Sequence, residues 1–293
     1  MSITASQVKE LRERTGAGMM DCKKALGETA GDLDAAIALL RKKGAASAEK
    51  KAGRIAAEGV IQIAIDSQAT RGVLVEVNCE TDFVAKDNTF IEFSAKLANI
   101  ILEQVPADTQ SLSSLNMSDG ETVEMARQNL ISRIGENISI RRFTIVDGDP
   151  DEISSYLHGT RIGTIVRVAP GKSNVAKDIA MHVAASRPLC IDESDMPNEV
   201  IEKEKEIFLA QASESGKEEA IVEKMVEGKL KKFLKESTLN GQAFVKNPDK
   251  SVKDVLDESS AEVIQMERYE VGEGLEKRSD DFVAEVMSQA QAG

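Results

Sequence analysis

The fold can be worked out from one stretch of the chain, Val77-Asn78-Cys79-Glu80-Thr81-Asp82-Phe83-Val84-Ala85-Lys86-Asp87. The run Val73-Leu74-Val75-Glu76-Val77 leads into it, is rich in β-branched residues, and predicts a largely buried strand. Polar residues from Asn78 onwards end this strand, and Phe83 follows beside the carboxylate of Asp82. Full burial of a phenylalanine side chain is worth about 1.5–3 kcal/mol. Phe83 therefore either folds back into its own core or is held ready for the core of a partner.

The composition is that of an acidic chain with little capacity to bind nucleic acid. Its 293 residues leave room for two or three domains, each with a core of its own. The 50 acidic and 37 basic residues give a net charge of −13, whereas phosphate binding needs a basic surface. Aromatic residues make up only 3% of the chain, so few rings are available to stack on nucleic-acid bases. We expect no direct nucleic-acid partner.

The cysteines and the hydropathy pattern predict a cytoplasmic protein. The cysteines, Cys22, Cys79 and Cys190, are far apart and odd in number, which fits a reducing compartment better than a disulfide framework. No apolar run approaches the roughly 18 residues that a membrane span needs. The N-terminus lacks the basic and apolar regions of a signal peptide. We therefore expect no membrane association.

Residues 1–55 predict three short helices that form a small bundle. Thr4 and Gln7 have the spacing of a capping box at the first helix, and Gly44 is expected to close the third. The Ala- and Lys-rich segment 45–57 then predicts a helical linker. A bundle of this size is too small to hold a catalytic pocket.

Two loops carry apolar side chains that invite a docking interpretation. Met19 and Met20 follow a short glycine-containing loop. Methionine packs adaptably, so these two residues are either part of a docking edge or plain core residues. The segment Gln242–Pro248 predicts a loop with two apolar tips, Phe244 and Val245.

An internal repeat runs through residues 58–190. A strand pattern and a helix-opening pattern both recur at an offset of 91 residues (163 − 72 and 175 − 84). This predicts a duplicated α+β core in which a strand, a loop and a helix appear twice. The loops differ: the first contains Cys79–Phe83 and the second contains Pro170–Asn174. The matched pairs are Gly72-x-x-Val75-x-Val77 with Gly163-x-x-Val166-x-Val168, and Val84-Ala85-Lys86-Asp87 with Val175-Ala176-Lys177-Asp178.

The remaining segments complete the predicted organisation. Residues 196–237 are charge-dense with a sparse apolar stripe, which predicts two antiparallel helices joined by a turn. Residues 105–120 predict a polar, turn-rich loop. A short helix is expected at 251–257, a strand at 261–271, and a last helix from Ser279.

The chain lacks the usual signatures of catalysis. Gly171-Lys172-Ser173 suggests a phosphate-binding loop, but that motif needs glycine where this chain has Val166. His182 is expected in a core and His158 in a hydrogen-bonded turn. No cysteine and histidine spacing matches a zinc site, and no nucleophile–histidine–carboxylate set can be assembled. We expect a binding protein with no catalytic residues, metal or cofactor.

Four long strings resemble those of the bacterial translation elongation factor Ts family: Asn78–Lys86, Arg12–Leu26, Met181–Ala185 and Glu223–Gly228. The resemblance extends over nearly the whole chain. It implies an α+β fold with an N-terminal three-helix ubiquitin-associated-like bundle, a duplicated α+β core, an inserted antiparallel coiled-coil hairpin and a C-terminal helical module. The implied ranges are 1–55 for the bundle, 56–150 for core subdomain N, 151–195 with 238–274 for core subdomain C, 196–237 for the hairpin and 275–293 for the C-terminal module.

The resemblance also implies a guanine nucleotide exchange factor that binds elongation factor Tu with GDP and disturbs its magnesium site. The residues implied at that magnesium site are Thr81, Asp82, Phe83 and Val84. Those implied in other partner contacts are Met19, Met20, Ile134, Gly135, His158, Phe244 and Val245. Homodimerisation through the hairpin stays open. The alternatives are a nucleotide-binding protein that uses Gly171-Lys172-Ser173 and a helical adaptor built around the N-terminal bundle.

Overall fold

We obtained the structure as a computed structural model that describes residues 3–118, 120–148, 153–169, 175–214 and 218–276. These residues form a mixed α/β fold with eleven α-helices and small sheets. The helices are α1 (Ala5–Thr15), α2 (Met19–Glu28), α3 (Leu33–Lys51), α4 (Asp82–Ala85), α5 (Asn88–Gln104), α6 (Thr109–Ser113), α7 (Val123–Ile134), α8 (Ala176–Ser186), α9 (Asn198–Ser213), α10 (Glu219–Ser237) and α11 (Val252–Glu258). The strands are β1 (Glu58–Ile65), β2 (Arg71–Cys79), β3 (Asn116–Ser118), β4 (Glu121–Thr122), β5 (Ile138–Asp147), β6 (Ile153–His158), β7 (Ile162–Ala169), β8 (Ala243–Phe244), β9 (Asn247–Ser251) and β10 (Glu262–Glu270).

The chain divides into two compact units. The first unit comprises residues 1–62, 75–143 and 270–293, and the second comprises 63–74 and 144–269. The five domain ranges expected from the sequence stay a prediction. Three segments of interest lie outside the described residues: the loop Gly171-Lys172-Ser173, the turn of the predicted hairpin at 215–217, and residues 277–293 of the predicted C-terminal module.

The N-terminal bundle of the first unit consists of α1, α2 and α3. The predicted capping box is confirmed, since Thr4 and Gln7 exchange side-chain to backbone hydrogen bonds at the start of α1. The expectation that Gly44 closes the third helix is wrong, because α3 continues to Lys51. Gly44 lies where α3 packs on α7, and an added Cβ there would make an ordinary van der Waals contact, 3.6 Å from Asn129 Oδ1. The buried side chains that form the bundle core are Val8, Leu11, Cys22, Ala25, Leu26 and Ala36.

The segment expected to be a loop at 105–120 contains ordered structure. It forms α6 and β3, and Asp108 caps α6 by accepting the N–H of Ser111 at 2.7 Å. Leu112 is fully buried and anchors the segment, a role that its polar sequence context hides.

Both copies of the predicted repeat form a strand that is followed by a helix. β2 is followed by α4 and α5, and β7 is followed by α8. The strand order is β1-β2-β5 in one three-stranded sheet and β10-β7-β6 in the other. Duplication of the core as a whole stays a prediction.

In the second unit, α8 covers the antiparallel pair of β6 and β7. The hydroxyl of Thr164 on β7 donates to the carbonyl of Ala180 on α8 at 2.8 Å, beside a buried cluster in which valine is the commonest residue. Helices α9 and α10 pack on each other, with the rings of Phe208 and Phe233 edge to face at 6.3 Å. The two helices are antiparallel, because Phe208 pairs with Phe233 while Gln211, further along α9, pairs with Lys229, which comes earlier on α10.

Candidate functional site

The exposed ring of Phe83 lies on a short helical turn of the first unit. Strand β2 ends at Cys79, Thr81 is the N-cap of the four-residue helix α4 (Asp82–Ala85), and Phe83 is the second residue of that helix. The Phe83 side chain is 80% exposed, whereas the next two residues, Val84 and Ala85, are buried. Of the two alternatives that the sequence left open, burial in its own core is therefore excluded for this ring.

Capping interactions fix the turn on both sides of Phe83. The hydroxyl of Thr81 accepts the N–H of Val84 at 3.4 Å, and Lys86 pairs with Asp82 at 2.7 Å. Asp87 then caps α5 by accepting the N–H of Thr89 at 2.9 Å. The hydrogen bond from the Thr89 hydroxyl lowers the pKa of Asp87, so this cap is ionised at neutral pH. Phe83 thus projects from a short helix that Thr81 caps at its start and that is followed directly by the Asp87 cap of α5.

A carboxylate from the α7–β5 turn holds the backbone that precedes Phe83. Glu136 Oε2 accepts the N–H groups of Glu80 and Thr81, both at 3.0 Å, and Glu136 Oε1 accepts the Thr81 hydroxyl at 2.6 Å. In the opposite direction, Glu80 Oε1 accepts the N–H of Asn137 at 2.6 Å. We call this pair of carboxylates, Glu80 and Glu136, the carboxylate clamp.

The clamp places the turn that carries Ile134 and Gly135 beside the backbone of Glu80 and Thr81, although the two segments are more than 50 positions apart in the chain. Gly135 ends α7 with φ of 92°, a left-handed conformation that favours glycine, and its N–H donates to Ile131 at 2.9 Å. Ile134 is half-buried and Gly135 is exposed. The residue after them is Glu136, so the same turn carries both predicted contact residues and the clamp carboxylate.

Cys79 lies at the end of β2 and contributes structure. Its Sγ donates to the carbonyl of Thr81 at 3.2 Å. Burial, together with the negative charge of Glu136, raises the pKa of the Cys79 thiol to about 12. The thiol is therefore protonated at neutral pH and is a poor nucleophile.

Met19 and Met20 are the first two residues of α2, with exposed fractions of 59% and 62%. Their side chains do not belong to the bundle core, which removes the alternative of plain core methionines. They lie in the first unit, as do the residues of the Thr81–Val84 site.

The second unit carries His158, Phe244 and Val245. His158 ends β6, is exposed, and lies with its Nδ1 3.2 Å from the hydroxyl of Tyr156. The expectation that Phe244 is an apolar loop tip is wrong: the ring is only 5% exposed and stacks on His182, with centroids 5.9 Å apart. Val245, the next residue, is 42% exposed.

His182 is a core residue, as the sequence predicts, and it holds the loop that follows α10. The Nε2 of Gln242 donates to the carbonyls of Ser186 and Glu236, so Gln242 Oε1 is the acceptor for His182 Nε2 at 2.9 Å. His182 Nδ1 then accepts the N–H of Val245 at 3.2 Å. Burial lowers the pKa of His182, which favours this neutral form.

The described residues show neither a metal centre nor a membrane span. Within them, no group of three or more His, Cys, Asp or Glu side chains is arranged to hold a metal ion. No helix among the described elements is both long and apolar enough to cross a bilayer.

Comparison with known proteins decides the family. The model of the family described as Elongation factor TS matches residues 80–273, a range that begins at Glu80 of the clamp and includes Phe83. The chain belongs to the elongation factor Ts family. It is 56% identical to elongation factor Ts of Thioalkalivibrio sulfidiphilus over 292 residues, 99% of each chain. It is 53% identical to the proteins of that name from Alkalilimnicola ehrlichii, over 99% of each chain, and Methylococcus capsulatus, over 100% of each chain. Elongation factor Ts proteins act in protein biosynthesis and guanine nucleotide exchange.

Reasoning from the sequence missed the clamp in this elongation factor Ts family member. Glu136 contacts Thr81 from 55 positions away in the chain, and no periodicity links the two. The available signal was a carboxylate directly after the glycine that ends α7, beside residues already expected to contact a partner.

Proposed function

We propose that this chain is a guanine nucleotide exchange factor that binds elongation factor Tu carrying GDP and promotes GDP release. Thr81, Asp82, Phe83 and Val84 would enter the partner near its nucleotide-bound magnesium. The observation that carries the proposal is the exposed ring of Phe83, which lies on a capped turn where the next two residues, Val84 and Ala85, are buried.

The proposed mechanism is a coupling between two binding equilibria. Magnesium neutralises the phosphates of bound GDP, so a disturbance of its coordination weakens the binding of the nucleotide. Phe83 gains burial energy only in a partner conformation that accepts its ring, and this gain favours that conformation. The coupling is reciprocal: if this chain weakens GDP binding, GDP weakens the binding of this chain by the same factor.

The other proposed contacts are distributed over both units. In the first unit they are Met19, Met20, Ile134 and Gly135, and in the second unit His158 and Val245. Phe244 is assigned a supporting role, because its buried ring lies beside Val245 and packs on His182. No covalent step is required, so we propose a cytoplasmic binding protein that is not an enzyme. Dimerisation through α9 and α10 stays a prediction.

The test is the rate of release of a fluorescent GDP from elongation factor Tu at a saturating concentration of this chain. Loss of about 1.5–3 kcal/mol of ring burial corresponds to a release rate roughly 10- to 160-fold slower for Phe83→Ala. Leu209→Ala is the matched control, since Leu209 is also exposed but lies on α9, outside the proposed contacts. Equal rates for the wild type and Phe83→Ala would refute the role of Phe83.

A further inference from the structure

We infer that Glu136 is a positioning residue for Phe83 and that the carboxylate clamp sets the direction in which the ring is presented. This inference rests on the proposed function, since it concerns how the same site is prepared for its partner. Glu136 itself need not touch the partner, and it acts through the backbone of Glu80 and Thr81.

Three donors converge on the Glu136 carboxylate from the segment just before α4. They are the N–H groups of Glu80 and Thr81 and the Thr81 hydroxyl, at 3.0, 3.0 and 2.6 Å. Hydrogen bonds to a charged acceptor are the stronger class in proteins. The turn between β2 and α4 is therefore held at two consecutive backbone amides and at the capping side chain, only two residues before Phe83.

The return contacts tie the clamp to a third segment. Glu80 Oε1 accepts the Asn137 N–H at 2.6 Å and lies 3.4 Å from the Arg54 guanidinium. The Asn137 amide donates to the carbonyls of Ala52 at 3.4 Å and Arg54 at 2.9 Å. The turn after β2, the turn after α7 and the segment after α3 are thus fixed together by one hydrogen-bond network.

The short length of α4 explains why Phe83 needs this support. The helix has only four residues, Asp82–Ala85, and a helix of one turn is not stable by itself in water. Without the clamp, the exposed ring would sample many directions, and ordering it on binding would cost conformational entropy. Because the clamp orders the turn in the free protein, binding of the partner does not carry this entropy cost.

Release of fluorescent GDP from elongation factor Tu tests the inference in four variants. These are Phe83→Ala, Glu136→Ala, the double variant, and Glu124→Ala as the matched control. Glu124 is a half-buried carboxylate of α7 that pairs with Arg127 at 2.7 Å and accepts from Gln128 at 2.7 Å, two partners that lie on the same helix and outside residues 79–83. Glu136→Ala is expected to slow saturated release by about tenfold, because one or two residues become disordered. In the Phe83→Ala background the same change is expected to alter the rate less than twofold.

A purely structural role predicts a different pattern. Glu136→Ala would then slow release by the same factor with and without Phe83, and that result would overturn the inference. It is also overturned if Glu136→Ala releases GDP as fast as Glu124→Ala while Phe83→Ala is slow. An unchanged rate for Phe83→Ala alone would instead refute the proposed function, and the positioning role with it.

Amide hydrogen exchange provides a readout in the free protein. Glu136→Ala should speed exchange at the Glu80 and Thr81 amides relative to Glu124→Ala, since both amides lose their acceptor. Glu136→Gln keeps the side-chain length and one acceptor oxygen, so it should restore part of the release rate and serves if the alanine variant does not fold. If the exchange rates of both amides are unchanged in Glu136→Ala, the inference that Glu136 holds this turn is refuted.

Discussion

The buried carboxylate of Glu76 offers the sharpest stability prediction for the first unit. Glu76 is fully buried on β2 and accepts hydrogen bonds from Arg141 at 3.0 and 3.2 Å, from Arg142 at 2.7 Å and from Asn78 at 3.1 Å. The backbone N–H of Gly272 is a further donor, at 2.8 Å. We predict that Glu76→Gln, which keeps the shape but removes the charge, destabilises the first unit strongly.

The magnitude follows from the contacts that the glutamine cannot make. Breaking a buried ion pair by removal of one partner costs about 3–5 kcal/mol. Arg141 and Arg142 are partly exposed and can regain hydration, so we expect the lower end, about 3 kcal/mol. Glu124→Gln is the control, because its ion pair with Arg127 is more exposed and is worth about 1 kcal/mol or less.

Urea unfolding followed by circular dichroism measures the difference, since the chain has no tryptophan for fluorescence. Burial opposes ionisation of Glu76, but its hydrogen bonds from Gly272, Arg142, Asn78 and Arg141 outweigh this and lower its pKa. The stability that it contributes is therefore fully present above the ordinary glutamate pKa of about 4.3 and is lost as the pH falls below that value. Equal losses of unfolding free energy for Glu76→Gln and Glu124→Gln at neutral pH would refute this reasoning.

Two further predictions concern the backbone and the buried imidazole. Gly272 (φ 73°) and Gly120 (φ 79°) are both left-handed, but only at Gly272 would an added Cβ lie 2.2 Å from the carbonyl oxygen of Ala57. Gly272→Ala should therefore lower the free energy of unfolding by about 1–3 kcal/mol more than Gly120→Ala, and similar losses would contradict the clash. Burial lowers the pKa of His182, so its contribution to stability is present above about pH 6.5 and is lost as the pH falls below that value. Thermal unfolding from pH 7 downwards should show a weaker pH dependence for His182→Gln than for the wild type, and parallel curves would contradict the assignment.

Local signals in the sequence predicted much of the secondary structure. The capping box of Thr4 and Gln7 acts within one turn of helix, and α1 begins where it predicts. The short helix expected at 251–257 is α11, Val252–Glu258, and the strand expected at 261–271 is β10, Glu262–Glu270. Each of these elements is specified by residues close together in the chain.

The errors arose where distant residues decide the outcome. Gly44 remains inside α3 because the helix packs closely on α7, a contact that outweighs the weak helix propensity of glycine. Phe244 is buried because His182, 62 positions earlier, provides a stacking partner in the core. A loop pattern alone contains neither of these contacts.

The candidate site was predicted in part for the same reason. The sequence pattern placed Phe83 after a buried strand but could not choose between its own core and a partner. Only the folded chain shows that its ring is exposed, while the adjacent Val84 and Ala85 are buried. Glu136 was missed because its donors, Glu80 and Thr81, lie on a turn that only the tertiary fold brings to it.

We propose that the ring of Phe83 couples the binding of this chain to the loss of GDP from its partner. The most direct measurement is titration calorimetry of the wild type and of Phe83→Ala against elongation factor Tu in its nucleotide-free and GDP-bound forms. We predict that the wild type binds the nucleotide-free form more tightly, and that this ratio of affinities falls about tenfold or more in Phe83→Ala. The same ratio for both proteins would contradict the account.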